Sequence, residues 1–223
     1  EGIKYDRMRA RRVDPGPRQA LALMGQLSGS GGPVIDAPVR ERQLAQDNSP
    51  AGVAWREMME KMFGAMDNIV VAPKEGLRIE RHTIESAPDG NHINLSVIRP
   101  DTDEVLPCVY YIHGGGMMTL SCMFGTYQTW GRMIAHQGLA VVMVDFRNCL
   151  TPSSVPEVEP FPAGLNDCVS GFLWTHQNAE SMGIYLGRIM LAGVRGVVNF
   201  TIATTRVLGR HGHCDYQLGF YAF

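Results

Sequence analysis

Two nearly unbroken apolar runs, Cys108 to Ile112 and Leu139 to Phe146, constrain this chain more than any other feature, with the helical stretch Tyr127 to His136 set between them. A strand buried on both faces reads as a continuous apolar run, whereas a half-exposed strand alternates. Two such strands joined through a helix form a βαβ unit, so the sequence predicts a parallel sheet with helices on both faces. Downstream, Pro162 opens another helix that carries Leu165, Cys168, Val169, Phe172 and Leu173 on one face. A strand from Arg188 to Ala192 and a third helix from Val197 to Arg210 continue the rhythm. Upstream, Leu77 to Ile84 alternates apolar and polar residues, Pro88-Asp89-Gly90 supplies a turn, and Ile93 to Val97 alternates again, which predicts a half-exposed hairpin. The fold class is α/β, with a mostly parallel sheet and flanking helices. Tyr216 to Phe223 reads as a further strand, and a sheet ending there would keep an uncovered edge, so the C-terminal part of the fold is expected to be missing.

The 223 residues, 45% hydrophobic and 19% charged, suit one substantial core with appendages. A formal net charge of -2 and a pI near 6.4 give no clustered cation surface for nucleic acid or an anionic membrane. The longest apolar runs fall far short of the ~20 residues of a membrane-spanning helix. No leader is visible from Glu1 onward, and a cytoplasmic location is the default expectation. Five scattered cysteines, Cys108, Cys122, Cys149, Cys168 and Cys214, lack zinc-site or disulfide-framework spacing, so reduced and mostly buried thiols are expected, with no metal. Residues 1–70 are read as an N-terminal helical cap and residues 71–223 as the core. The cap contains the breaker cluster Gly29 to Pro33 and a helix opened by Pro50, whose Val53, Trp55, Met58, Met59, Met62 and Phe63 follow helical spacing. Those methionines either floor a pocket or fill core, and the second use is the commoner.

Directly behind the first apolar strand stands His113-Gly114-Gly115-Gly116. Three successive glycines carry a large backbone-entropy cost, and a strand opening into bare N–H groups is the arrangement that cradles an oxyanion. Where a hydrolase of this chain order places its G-x-S-x-G nucleophile elbow, the sequence instead reads Gly193-Val194-Arg195-Gly196-Val197-Val198. Arg195 holds the nucleophile's place. Its guanidinium stays protonated and cannot attack a carbonyl.

Taken together, Tyr111 to Met117, Val142 to Asn148, Phe161 to Cys168, and Asn199 with Ala203-Thr204-Thr205 resemble the hormone-sensitive-lipase-like branch of the α/β-hydrolase superfamily, the bacterial family IV carboxylesterases. The resemblance implies an α/β-hydrolase fold and an esterase that works with a Ser-His-acid triad and no cofactor. Carried onto this chain, it gives Gly115, Gly116 and Gly196 as oxyanion donors. His113 and Gly114 become loop supports, and His113 is not the catalytic base. The partner it implies is a small-molecule ester or an apolar carbonyl ligand.

Other polar residues read as structural. Asp145 and Arg147 are expected as a buried pair supporting the loops, and Asp167 as a cap or surface carboxylate beside a packed Cys168 that lacks a base. In this superfamily the acid and the His follow the nucleophile. Beyond Arg195 the only histidines are His211 and His213, which read as helix-end residues. The expectation is therefore an ester hydrolase in scaffold that is incomplete in its nucleophile. The alternative is a non-catalytic small-molecule-binding protein.

Overall fold

The computed structural model describes residues 49–193 and 198–210. The breaker cluster at 29–33, the residues at 194–197, His211, His213, Cys214 and the expected strand at 216–223 lie outside them.

In chain order the elements are α1 (Pro50–Ala65), β1 (Leu77–Ser86), β2 (Asn91–Pro100), β3 (Leu106–Ile112), α2 (Gly125–Ala135), β4 (Ala140–Asp145), α3 (Ala163–Gln177), β5 (Ile184–Gly193) and α4 (Val198–Arg210). The five strands form one sheet in the order β1-β2-β4-β3-β5. β1 pairs antiparallel with β2, and β2 antiparallel with β4, whereas β3 runs parallel to both β4 and β5. The expected βαβ unit is thus β3-α2-β4. The sheet is mixed because the hairpin joins it through β2.

Side-chain alternation along β3 divides the core in two. Cys108, Tyr110 and Ile112 join Leu95, Val142, Val144, Phe172, Leu191 and the α4 residues Phe200 and Leu208 on one face. Val109 and Tyr111 join Ile98, Val141, Met143, Tyr127 and Ala192 on the other. α3 approaches its face closely only because position 171 lacks a side chain: a Cβ on Gly171 would lie 2.4 Å from the Tyr110 hydroxyl. That hydroxyl donates to the Cys168 carbonyl at 2.8 Å, which satisfies the polar end of a fully buried ring.

Several expectations need correction. The hairpin is half-exposed only in β1, because β2 sits between β1 and β4 and is buried along most of its length. α1 meets the core only near its C-terminal end: Val53, Trp55 and Met58 are exposed, while Met59, Met62 and Phe63 are half-buried and Phe63 packs against the core face that holds Tyr127. The segment that follows α1 is fastened to α2 by Arg132. Its Nε donates to the Ala72 carbonyl at 2.7 Å, and its Nη2 pairs with Asp67. The thiols agree with the expectation: of the four described, three are buried and Cys149 is exposed.

Candidate active site

Strand register places the site. Ile112, the last residue of β3, is paired with Val144 of β4 on one side and with Gly193 of β5 on the other. Three neighbouring strands therefore end level, and the loops that follow them leave the same rim of the sheet. In open α/β sheets this carboxyl edge is where ligand groups gather.

The loop after β3 holds the glycines. Gly115 has φ +118° and Gly116 φ +64°. A Cβ on Gly115 would lie 1.9 Å from the Thr119 carbonyl oxygen, so no other residue fits this turn. The Gly115 carbonyl accepts the N–H groups of Met118 at 3.1 Å and Thr119 at 3.3 Å, which closes the turn. Among the described residues neither the Gly115 nor the Gly116 N–H donates to a backbone acceptor, leaving both amides available. The turn also drives Met117 (φ +66°) and Leu120 (φ +77°) into the left-handed region, where each side chain costs about 1 kcal/mol or more.

Contacts from two directions hold that strained loop. From the loop after β4, the Cys149 N–H donates to the Met117 carbonyl and the Thr151 N–H to the Met118 carbonyl, both at 2.9 Å. The Asn148 side-chain amide donates to the Leu120 carbonyl at 2.8 Å. From α1, Glu60 accepts the Thr119 hydroxyl at 3.2 Å. Asn148 carried no spacing rule that would single it out in the sequence. Its role exists only because β3 and β4 are adjacent.

His113 lies beneath the loop, fully buried. Its Nδ1 is 2.7 Å from the Gly114 carbonyl and its Nε2 is 3.6 Å from Asp145 Oδ1. The ring stacks on Phe146 with centroids 4.3 Å apart and planes 11° from parallel, and Phe146 in turn meets Phe200 of α4 edge-on at 5.4 Å. Three rings thus tie the glycine loop, the end of β4 and the first turns of α4 into one unit. Burial pushes the His113 imidazole below its ordinary range, and the Asp145 charge and the Gly114 carbonyl pull against that shift.

Asp145 and Arg147 are not paired with each other, contrary to the sequence expectation. The Asp145 carboxylate accepts the N–H groups of Cys122 at 2.8 Å and Ser154 at 2.7 Å. Arg147 turns away to Asp167, with its Nε 2.9 Å from Oδ2 and its Nη2 2.9 Å from Oδ1, and reaches Asp89 at 2.7 Å. Asp167 is neither a surface nor a capping group. It is fully buried, and it also accepts the Ser86 hydroxyl at 2.6 Å and the Arg147 backbone N–H at 2.9 Å. The sequence carries no local sign of this burial, because the partners of Asp167 come from β1 and from the loop after β4, distant along the chain. Cys168 is buried and its thiol is pushed up by burial, so it is not a reactive group. Among the described residues no set of three His, Cys, Asp or Glu side chains is placed to hold a metal ion.

Arg195 and Gly196 fall outside the described residues. β5 ends at Gly193 beside the exit of β3, and α4 begins at Val198.

A mixed sheet in this order, with a glycine turn at the carboxyl end of one parallel strand and a strand-to-helix crossing at the next, is the α/β-hydrolase fold, and residues 109–213 match the family model described by that name. Structurally the chain is similar to the esterase Est22, with 45% identity and a TM-score of 0.81 over 95% of this chain and 60% of that one. It is also similar to brefeldin A esterase, a bacterial homologue of human hormone-sensitive lipase, at 32% identity and a TM-score of 0.68, covering 92% of this chain and 54% of that one. Among curated proteins, esterase LipI of Mycobacterium tuberculosis is 33% identical over 110 residues, 48% of this chain and 31% of its own length. The chain thus spans between about a third and three fifths of the length of each of these relatives. No helix among the described residues is long and apolar enough to cross a membrane.

Proposed function

We propose that this chain is a carboxylic ester hydrolase of the esterase/lipase type, a divergent or incomplete copy, with Gly115, Gly116 and Gly196 forming an oxyanion cradle and Arg195 standing at the nucleophile's position. One observation supports this above the rest: Ile112 and Gly193 are register partners at the ends of adjacent parallel strands. Loops leaving such neighbours converge, so a carbonyl oxygen held by the Gly115 and Gly116 amides would lie beside the 194–197 segment. His113 and Gly114 support the loop through the ring-to-carbonyl bond, and His113 is not the base, because its Nδ1 is committed to that carbonyl and its ring is sealed from solvent. The small-molecule ester reading draws on the relatives, since Est22 has a solved structure with p-nitrophenol. Residues 1–70 count in this proposal as an N-terminal helical cap segment and residues 71–223 as the hydrolase core.

An arginine in the elbow stops the chemistry. Loss of a triad member removes about 10⁴–10⁶ in rate and leaves only binding and oxyanion terms. The test is hydrolysis of a short-chain aryl ester by the unmodified chain and by Arg195→Ser. The unmodified chain is expected to stay at the uncatalysed rate. Substantial, saturable and equal turnover by both would overturn the assignment of position 195.

A second reading is favoured by the arginine itself. A guanidinium carried at the nucleophile's position would suit a carboxylate, so a non-catalytic binding protein would hold an aryl or alkyl carboxylic acid and lose that affinity in Arg195→Ala. Calorimetric titration with a short aryl carboxylate separates the two, because a merely disabled esterase gains nothing from the charge.

A further inference from the structure

We infer that His113 and Asp145 together set the aim of the Gly115 amide and make it responsive to acid, with His113 as the positioning residue and Asp145 as its fixed counter-charge. The functional weight of this inference rests on the oxyanion reading of Gly115 given above. Its structural content does not.

The argument starts from a peptide plane. The carbonyl of Gly114 and the N–H of Gly115 belong to one planar unit and point in opposite directions. Whatever fixes the carbonyl therefore fixes the amide. His113 Nδ1 lies 2.7 Å from that carbonyl oxygen, an acceptor only, so Nδ1 carries a proton and donates it there. In the neutral ring Nε2 is then a bare acceptor. It is buried, has no hydrogen-bond partner, and faces Asp145 Oδ1, a second acceptor, at 3.6 Å.

Two acceptors opposed in a buried site persist only if both are held from elsewhere. The carboxylate is held by the Cys122 N–H on Oδ1 and the Ser154 N–H on Oδ2. The ring is held by the Gly114 carbonyl and by stacking on Phe146. Among the described residues the titratable groups facing the ring are Asp145 from β4 and Tyr127 from α2, whose ring is 5.6 Å away and tilted by 53°. Arg147 is engaged with Asp167 and Asp89, and offers His113 no competing charge.

A proton bound at Nε2 turns the opposition into attraction. A charge-assisted N–H···O bond settles near 2.7–2.9 Å, so the ring must travel roughly 0.7–0.9 Å toward Asp145. It can slide along the parallel face of Phe146. Nδ1 then draws away from the Gly114 carbonyl, the peptide plane turns, and the Gly115 N–H turns with it.

The test follows the isotopically labelled full chain by nuclear magnetic resonance from pH 7.5 to pH 4.5. The His113 ring nitrogens, the Asp145 carboxyl carbon and the Gly115 amide are read together. Expected are a proton on Nδ1 at neutral pH and a single midpoint, below the ordinary histidine value, shared by all three signals. His113→Asn keeps a donor near the Nδ1 position and removes the titration, so its Gly115 amide is expected to stay still across the range. A proton on Nε2 at neutral pH overturns the inference. A ring that never titrates also overturns it, as does a Gly115 amide that ignores the ring or still moves in His113→Asn. None of these signals needs an ester or a nucleophile, so turnover by the unmodified chain would sink the functional reading and leave this one standing.

Discussion

At Gly115 the residue type follows from crowding. Gly115→Ala sets a methyl 1.9 Å from the Thr119 carbonyl at φ +118°, whereas Gly116→Ala meets nothing nearer than the Met118 methyl at 3.8 Å. The first substitution forces the turn open and is expected to lower stability by about 3 kcal/mol. The second adds only left-handed strain, about 1 kcal/mol. At roughly 2–4 °C per kcal/mol for a chain of this size, thermal unfolding distinguishes them, and equal shifts would show that the glycine turn is not closed as described. Asp167 is the other residue whose removal should be severe. Asp167→Ala strands the buried Arg147 guanidinium, and losing one partner of a buried pair costs about 3–5 kcal/mol. Asp89, 40% exposed in its side chain, should matter far less. Denaturant midpoints for Asp167→Ala and Asp89→Ala within experimental error of one another would contradict this ranking.

Elements are joined here by single polar groups as much as by packing. The segment after α1 is fastened to α2 by Arg132, which bonds the Ala72 carbonyl and Asp67, and by Thr129, whose hydroxyl accepts the Asn68 N–H at 2.8 Å. Burial raises the Asp67 carboxyl, but the Arg132 hydrogen bond and charge outweigh it, and the group ends below its ordinary value of 3.8. A carboxyl lowered on folding contributes stability above its unfolded value, and that contribution disappears as pH falls through the folded one. Asp67→Asn should therefore be less stable than the parent at pH 6, with the gap in melting temperature closing as pH falls below 3.8. A gap independent of pH would mean that Arg132 does not read the charge on Asp67.

Over the whole molecule, solvent access separates the thiols. Among the described residues Cys149 is exposed, while Cys108, Cys122 and Cys168 are buried, with the Cys108 thiol pushed up to about 12 and the other two raised well above their ordinary value by burial beside negative charge. A thiol reagent at pH 8 is expected to label Cys149 at once and the three buried positions only at the rate of global opening. Rapid native labelling of Cys108 or Cys168, identified by peptide mapping, would mean that the sheet opens locally along β3 or α3.

The apolar runs of β3 and β4, the helix after Pro162 and the glycine loop were legible in the sequence, because burial on two faces and the need for a bare backbone each leave a local mark. Helix and strand ends shifted by a few residues, as at β5, whose first residue is Ile184 and not Arg188. What the sequence by itself determined is the class of fold and the identity of the loop that presents free amides. Which charge meets which was decided only in three dimensions: Arg147 chose Asp167 over Asp145, and Asp145 came to bridge Cys122, Ser154 and the neighbourhood of His113. Periodicity reports which face of an element is apolar. A buried ion pair is settled by which strand lies beside which, and no local pattern carries that information.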